Sequence, residues 1–168
     1  MGLYQVDKLM GEARRLARDY RLAMGKPLAG ISAELAVHDA IRLLDLEAVP
    51  AGAGGYDAVG CGRRTGKRIQ IKGRAIFDES KGGQRIGQLK TEQEWDSVML
   101  VLMDENYEPV EIYEAEREDV MEAVDKSSSS RSKRGAVSVA KFKIIGQLVW
   151  SRENGVEDNE VWDNQAGQ

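Results

Sequence analysis

The segment Ser97–Met103 (SVMLVLM) constrains the fold more than any other part of the chain. It is a nearly continuous apolar run, as expected of a central strand that is buried on both faces. The turn residues Asp104-Glu105-Asn106 follow it, and Pro109–Ala115 is predicted to form the next strand. The core of the protein is therefore expected to be built around a sheet.

The predicted helices complete a mixed α/β arrangement. Residues 3–24 carry an apolar stripe at helical spacing, opposite a charged face that includes Arg14. Gly25-Lys26-Pro27 ends this amphipathic helix. Further helices are predicted from an N-cap at Ser32 to Leu44, over Glu116–Val124, and as a short C-terminal segment from an N-cap at Ser138 to Ile145. The predicted fold class is α/β, with helices packed against a central mixed sheet.

The length of 168 residues fits a single domain. Residues 1–150 are predicted to form it, and the polar, acidic residues 151–168 to form a weakly ordered tail. No apolar run approaches the roughly 20 residues that span a bilayer, so no membrane association is expected. The only cysteine, Cys61, excludes an intrachain disulfide, and a cytoplasmic location is expected.

The net charge of −4 hides a strong segregation of charge along the chain. Residues 60–90 hold nine Lys and Arg against two acids, and residues 126–143 hold six against none. Residues 91–125 hold thirteen acids and a single Arg. The two basic blocks are candidates for one positive face that binds a polyanion. Alternatively, they are solvated loops that the acidic block neutralises.

Two short predicted strands carry the residues that suggest chemistry. The first spans the segment Gly55–Gly60 and contains Asp57, and the second runs over Arg68–Phe77. Because side chains alternate along a strand, Gln70 and Lys72 share one face of the second strand. A hairpin joining the strands would gather a carboxylate, an amide and an ammonium, which can hold a hard metal ion and a phosphate. A loop from Asp78 to Gly87 and a short helical turn from Thr91 to Trp95 are predicted to follow.

Other candidate groups indicate chemistry less strongly. Cys61 lies in a basic turn, which is expected to lower the pKa of its thiol. His38, the only histidine, is expected on a helix surface, and nothing near it indicates a nucleophile and base pair. The stretch Gly62–Lys67 is too short for a phosphate-binding loop and lacks a hydroxyl residue after its lysine.

The order of the candidate residues resembles the PD-(D/E)xK nuclease superfamily, which has the restriction-endonuclease-like fold. In that family a helix carrying a glutamate precedes a strand hairpin; the first strand supplies an aspartate and the second supplies (D/E)-x-K. Glu34, Asp57, Gln70 and Lys72 follow this order. The resemblance covers roughly residues 30 to 115 and implies a restriction-endonuclease-like central sheet flanked by helices.

The chain departs from the family pattern at two positions. Tyr56 stands where many members have a proline, and Gln70 replaces the second acid, as in the Q-x-K members of the superfamily. An amide keeps an oxygen ligand but lacks the negative charge of a carboxylate. Metal binding is therefore expected to be weaker unless Glu34 supplies a second carboxylate.

The resemblance implies a metal-dependent DNA endonuclease that hydrolyses phosphodiester bonds in restriction or phage defence. Mg²⁺, or Mn²⁺, would be held by Asp57, the Gln70 side chain, the Ile71 carbonyl and Glu34, directly or through water. Lys72 would orient or activate the attacking water and offset charge on the phosphate. The basic residues implied to contact DNA are Arg63, Arg64, Lys67, Arg68, Arg74, Lys126, Arg131, Lys133 and Arg134.

Two alternatives to an active nuclease stay open from the sequence. Gln70 in place of an acid favours a nuclease-like fold that binds DNA or RNA without cutting it. The acidic residues 91–125 together with the tail favour a protein-interaction subunit of a larger complex, such as a restriction or defence complex. A homodimer is also plausible, because cutting both strands of a duplex needs two active sites or two visits.

Overall fold

A computed structural model describes residues 2–50, 54–78, 84–127 and 136–157 of the chain. Within these ranges the helices are α1 (Leu3–Met24), α2 (Ile31–Leu44), α3 (Arg117–Ser127) and α4 (Val139–Ile145). The strands are β1 (Glu47–Ala48), β2 (Ala58–Val59), β3 (Arg68–Ala75), β4 (Arg85–Gln88), β5 (Ser97–Met103), β6 (Pro109–Glu116), β7 (Ala136–Ser138), β8 (Gln147–Ser151) and β9 (Gly155–Val156).

The centre of the fold is a seven-stranded mixed sheet with the order β1-β2-β3-β5-β6-β8-β9. β3 and β5 run parallel, with Ile69 opposite Ser97, and the other neighbouring pairs in this sheet are antiparallel. A separate ribbon pairs β4 with β7. Every residue of β5 is buried, which confirms that Ser97–Met103 is the central strand.

Each face of the sheet packs against its own hydrophobic core, because successive side chains of a strand point to opposite faces. Met99, Val101 and Met103 of β5 pack with α1 and α2 on one face. Val98, Leu100 and Leu102 pack on the other face with α3, α4 and the β4–β7 ribbon. Helices thus cover both faces, and the predicted α/β class with a mixed sheet is confirmed.

The contact between α2 and β3 is unusually close and depends on one glycine. A Cβ atom on Gly73 would lie 2.5 Å from the Cβ of Ala36 and 2.8 Å from the carbonyl oxygen of Ser32. Only a residue without a side chain allows the helix and the strand to approach this closely. This contact fixes how α2 is rotated relative to β3.

Most helix boundaries follow the predictions from the sequence. α1 ends at Met24, with Gly25 in the left-handed conformation at φ 71°. α4 begins after Ser138, whose hydroxyl accepts a hydrogen bond from Lys141 N at 3.1 Å. The predicted N-cap at Ser32 is wrong, because α2 already begins at Ile31, after Gly30 at φ 83°.

Elements formed by pairing between distant segments were predicted less well. β4 begins inside the predicted loop Asp78–Gly87 and ends one residue after it. The segment Thr91–Trp95 is a turn rather than a helix. β8 and β9 form an antiparallel hairpin, with Trp150 opposite Val156. The boundary predicted at residue 151 therefore falls inside this hairpin, and residues 158–168 lie outside the described residues.

Arg14, expected on the exposed face of the first helix, is instead buried. Its guanidinium lies 2.7 Å from Asp39 of α2 and also donates to the carbonyl oxygen of Tyr107 at 3.1 Å. The arginine thereby joins both N-terminal helices to the turn between β5 and β6. Among the described residues, no helix has the length and apolar character needed to cross a membrane.

Candidate functional site

Asp57 lies immediately before the short strand β2 and is fixed against the edge of β3. Its backbone N–H donates to the Ile69 carbonyl at 2.8 Å. Its carboxylate Oδ2 accepts a hydrogen bond from the backbone N–H of Ile71 at 2.7 Å. The antiparallel register pairs Ala58 with Ile69, so Asp57 stands opposite Gln70, as the predicted hairpin requires.

The Ile71 carbonyl lies on the same edge of β3 as the Asp57 carboxylate. In a strand, the N–H and C=O of one residue point to the same side. The backbone N–H and C=O of Arg68 both point toward β5, where they meet Asp96. Residues one step further along point the other way, as Ile69 O and Ile71 N do toward Asp57. The edge therefore presents two oxygen groups together.

Gln70 is 2% exposed, and its amide joins two loops to β3. The Nε2 group donates to the carbonyl oxygen of Gly55 at 3.1 Å, and Oε1 accepts from the backbone N–H of Lys90 at 3.4 Å. An amide can donate and accept in this way, whereas an ionised carboxylate can only accept. The glutamine that replaces the family's acid thus has its own structural contacts in this protein.

Lys72 is half-buried and lies on the same face of β3 as Gln70. Burial lowers the pKa of its ammonium group. The nearby carboxylate of Asp57 acts in the opposite direction, and the positive charge of Lys90 lowers the pKa further. Three charged groups are therefore within electrostatic range of one another, two positive and one negative.

Lys90 is a member of this site that the sequence did not indicate. It follows β4 in a loop whose carbonyl oxygens are held from two sides. Trp95 Nε1 donates to the Lys90 carbonyl at 2.7 Å, and Arg117 donates to the carbonyls of Thr91, Gln93 and Trp95 at 2.9–3.0 Å. The guanidinium carbon of Arg117 also lies 4.5 Å from the centre of the Trp95 ring. The only sequence signal for Lys90 was its membership of the basic block 60–90.

Glu34 is not brought to this site by the fold. It is exposed in the first turn of α2. Two residues on, Ala36 packs against Gly73 of β3, and a separation of two residues places side chains on nearly opposite sides of a helix. Glu34 therefore projects away from the sheet. The predicted order of four residues is present, but the structure gathers only Asp57, Gln70 and Lys72, together with the Ile71 backbone.

The basic turn before β3 is largely neutralised by acidic side chains. Arg64 Nε lies 3.0 Å from Glu114, and Lys67 Nζ lies 2.5 Å from Glu116. Arg68 pairs with Asp96 through its side chain and its backbone N–H, and these hydrogen bonds lower the pKa of the Asp96 carboxyl. For these residues the acidic block acts as an internal counter-charge.

The other residues predicted to contact DNA have different surroundings. Arg63 is exposed in the same turn, and Arg74 is exposed on β3. Lys126 lies in α3. Arg131, Lys133 and Arg134 lie outside the described residues.

The predicted lowering of the Cys61 pKa is wrong. Partial burial raises the pKa of the thiol, and the carboxylates of Glu47 and Asp45 raise it further. The basic side chains beside Cys61 in the sequence do not set its surroundings, because several of them are paired with the acids of β6 and the turn before β5.

The oxygen groups at the β3 edge fit a hard cation in chemical type. They comprise the Asp57 carboxylate, the Gln70 amide oxygen and the Ile71 carbonyl. The described residues contain no cluster of three His, Cys, Asp or Glu side chains that could hold a metal ion. Mg²⁺ is commonly bound by one or two carboxylates together with substrate phosphates and water. A single carboxylate therefore suits an ion that shares its ligands with a bound phosphate.

Comparisons with protein families and with curated proteins found no match, so the function is argued from the geometry of the site.

Proposed function

We propose that the protein is a metal-dependent DNA endonuclease of the restriction-endonuclease-like fold, acting in restriction or phage defence. The observation that carries this proposal is the position of the Asp57 carboxylate. It is held at the edge of β3 by Ile71 N–H, next to a strand that presents Gln70 and Lys72 on one face. The order of helix, antiparallel hairpin and buried parallel strand supports the same proposal.

Asp57, Ile71 and Gln70 are the residues that would hold Mg²⁺ or Mn²⁺ in this enzyme. When bound, the cation would supply Lewis-acid stabilisation of the charge on the phosphate that is cut. Because Asp57 is the only carboxylate of this set, we expect the protein to bind the ion weakly alone and more tightly together with DNA. Glu34 has no part in this proposal because it projects from the opposite side of α2.

Lys72 would act on the phosphate through its ammonium group. Hydrolysis forms a bond from water to phosphorus and breaks an ester P–O bond, and negative charge grows on the phosphate oxygens. A half-buried cation on the same strand face as Gln70 is placed to offset this charge. The nearby Asp57 carboxylate raises the pKa of this ammonium group and so favours its charged form.

The experiment is a cleavage assay with duplex, branched and single-stranded DNA in Mg²⁺ and in Mn²⁺. We expect Asp57→Asn and Lys72→Ala each to reduce cleavage by about 10²-fold or more. Asp119→Asn and Lys8→Ala, which change exposed residues of α3 and α1, are matched controls and should cleave normally. Wild-type rates in the Asp57→Asn variant would refute the proposed mechanism.

A second candidate function is nucleic-acid binding without cleavage. The observation that favours it is the full use of the Gln70 amide in contacts with Gly55 and Lys90, while Glu34 projects elsewhere. This candidate predicts salt-sensitive binding of DNA or RNA. It also predicts no cleavage of any substrate in either metal, and the same assay therefore separates the two functions.

A further inference from the structure

Seven of the nine cations of the basic block 60–90 fall into two groups that the sequence does not separate. Arg64, Lys67 and Arg68 of the turn before β3 are paired with carboxylates. In the described part of the chain, no carboxylate oxygen lies within 4.0 Å, the limit for an ion pair, of a side-chain nitrogen of the second group. Its members are Lys72, Arg74, Arg85 and Lys90. Charge that is not neutralised internally is available to a polyanion.

The second group is joined to β3 by hydrogen bonds on the side of the candidate site. Arg74 lies two residues beyond Lys72, on the same face of β3, and its Nε donates to the carbonyl oxygen of Arg85 at 2.5 Å. Lys90 is tied to the same strand through its backbone N–H and the Gln70 amide. Both attachments lie on the face of β3 that carries Gln70, Lys72 and Arg74.

Beyond the half-buried Lys72, the side chains of this group reach solvent, that of Arg85 in part. Arg74 and Lys90 are exposed. In β4 the side chain of Ile86 is buried in the core, so that of the neighbouring Arg85 points to the outer side of the β4–β7 ribbon. The loop of Lys90 is held by Trp95 and Arg117, which reduces the conformational entropy lost when the lysine engages a ligand.

We propose that the DNA strand runs over Lys90, Arg74 and Arg85, which contact the phosphates next to the one held at Asp57 and Lys72. This inference rests on the proposed function and names the surface by which the substrate is held. It assigns DNA contact to Arg85 and Lys90, and it removes the neutralised residues Arg64, Lys67 and Arg68 from the substrate path. The three residues act as positioning residues for the backbone and carry no base specificity.

The test is a titration of a fluorescent DNA duplex at several salt concentrations, in EDTA and in Ca²⁺. For the triple variant R74A/R85A/K90A we expect weaker binding. We also expect the slope of log K against log salt to fall by about 3, since each lost phosphate contact removes about 1. The variant K8A/R15A/K26A removes the same charge from exposed positions elsewhere and should retain the wild-type slope. R64A/K67A removes two of the neutralised cations of the turn and should also retain the wild-type slope.

Circular dichroism and the urea midpoint establish that each variant is folded before its binding is compared. A wild-type slope in the folded triple variant would overturn the inference, as would a larger fall of the slope in R64A/K67A. If cleavage by the wild type then still depends on Asp57, the proposed function stands while the inference fails. A wild-type protein that binds no DNA in either buffer and cleaves none would overturn both.

Discussion

Replacing Gln70 by glutamate turns one buried hydrogen-bond donor into an acceptor at almost constant volume. In the native protein Nε2 donates to the Gly55 carbonyl at 3.1 Å, and the side chain is 2% exposed. In the variant an anionic oxygen faces that carbonyl oxygen. Because the side chain is almost fully buried, water has little access to replace the lost donor. A buried polar group left without its partner costs about 1–3 kcal/mol. The Lys90 N–H and the Lys72 ammonium offset part of the added charge.

We therefore expect Gln70→Glu to lower the free energy of unfolding by about 1–3 kcal/mol in EDTA at neutral pH. For a protein of this size, that loss corresponds to a fall in Tm of roughly 2–12 °C. Burial raises the pKa of the new carboxyl above that of a free glutamate. The loss should therefore shrink as the pH falls, because a protonated carboxyl can again donate to Gly55. Urea unfolding at two pH values measures both effects.

Added Mg²⁺ distinguishes a metal ligand at this position from a purely structural amide. If residue 70 contacts the ion, the extra charge of Gln70→Glu should make the Mg²⁺-induced rise in Tm larger in the variant than in the wild type. Gln5→Glu, at an exposed position in the first turn of α1, is the matched control and should unfold like the wild type. Unchanged stability of Gln70→Glu in EDTA would refute the structural role assigned to the amide, and equal Mg²⁺ shifts would refute its role as a ligand.

Three further perturbations test the surroundings of the site. Gly73→Ala should lower the free energy of unfolding by about 1–3 kcal/mol in urea, because its Cβ would lie 2.5 Å from a methyl group of α2; Gly11→Ala, with open space at its Cβ, should not. Arg117→Ala removes three hydrogen bonds to the Lys90 loop, so amide exchange of residues 90–96 should become faster. A normal exchange rate there would contradict the proposed support. The side chain and backbone of Arg68 lower the pKa of Asp96 below 3.8, so this pair stabilises the protein above that pH and stops doing so as the pH falls through the lowered pKa. Acid unfolding should consequently be less steep in Asp96→Asn, and equal steepness would exclude a contribution from the pair.

The elements predicted well are those whose signals lie within the segment itself. The apolar run of β5 identified the central strand, the stripe and Gly25 bounded α1, and Ser138 marked the start of α4. β4 has no such local signal, since it exists through pairing with β7, about fifty residues further along the chain. In the segment Thr91–Trp95, carbonyl oxygens accept hydrogen bonds from the Arg117 side chain rather than from the backbone N–H groups of a helix.

For the candidate site, the sequence by itself determined the hairpin and the alternation that places Gln70 and Lys72 on one strand face near Asp57. Those relations follow from the period of a strand and the short span of a hairpin. Only the tertiary structure decided that Glu34 projects away, that Lys90 joins the site, and which cations are neutralised. Each of these depends on packing between distant segments, such as α2 against Gly73 and Glu114 against Arg64. Residue order does not specify such contacts, because the rotation of a helix and the partner of a charge are set by the whole fold.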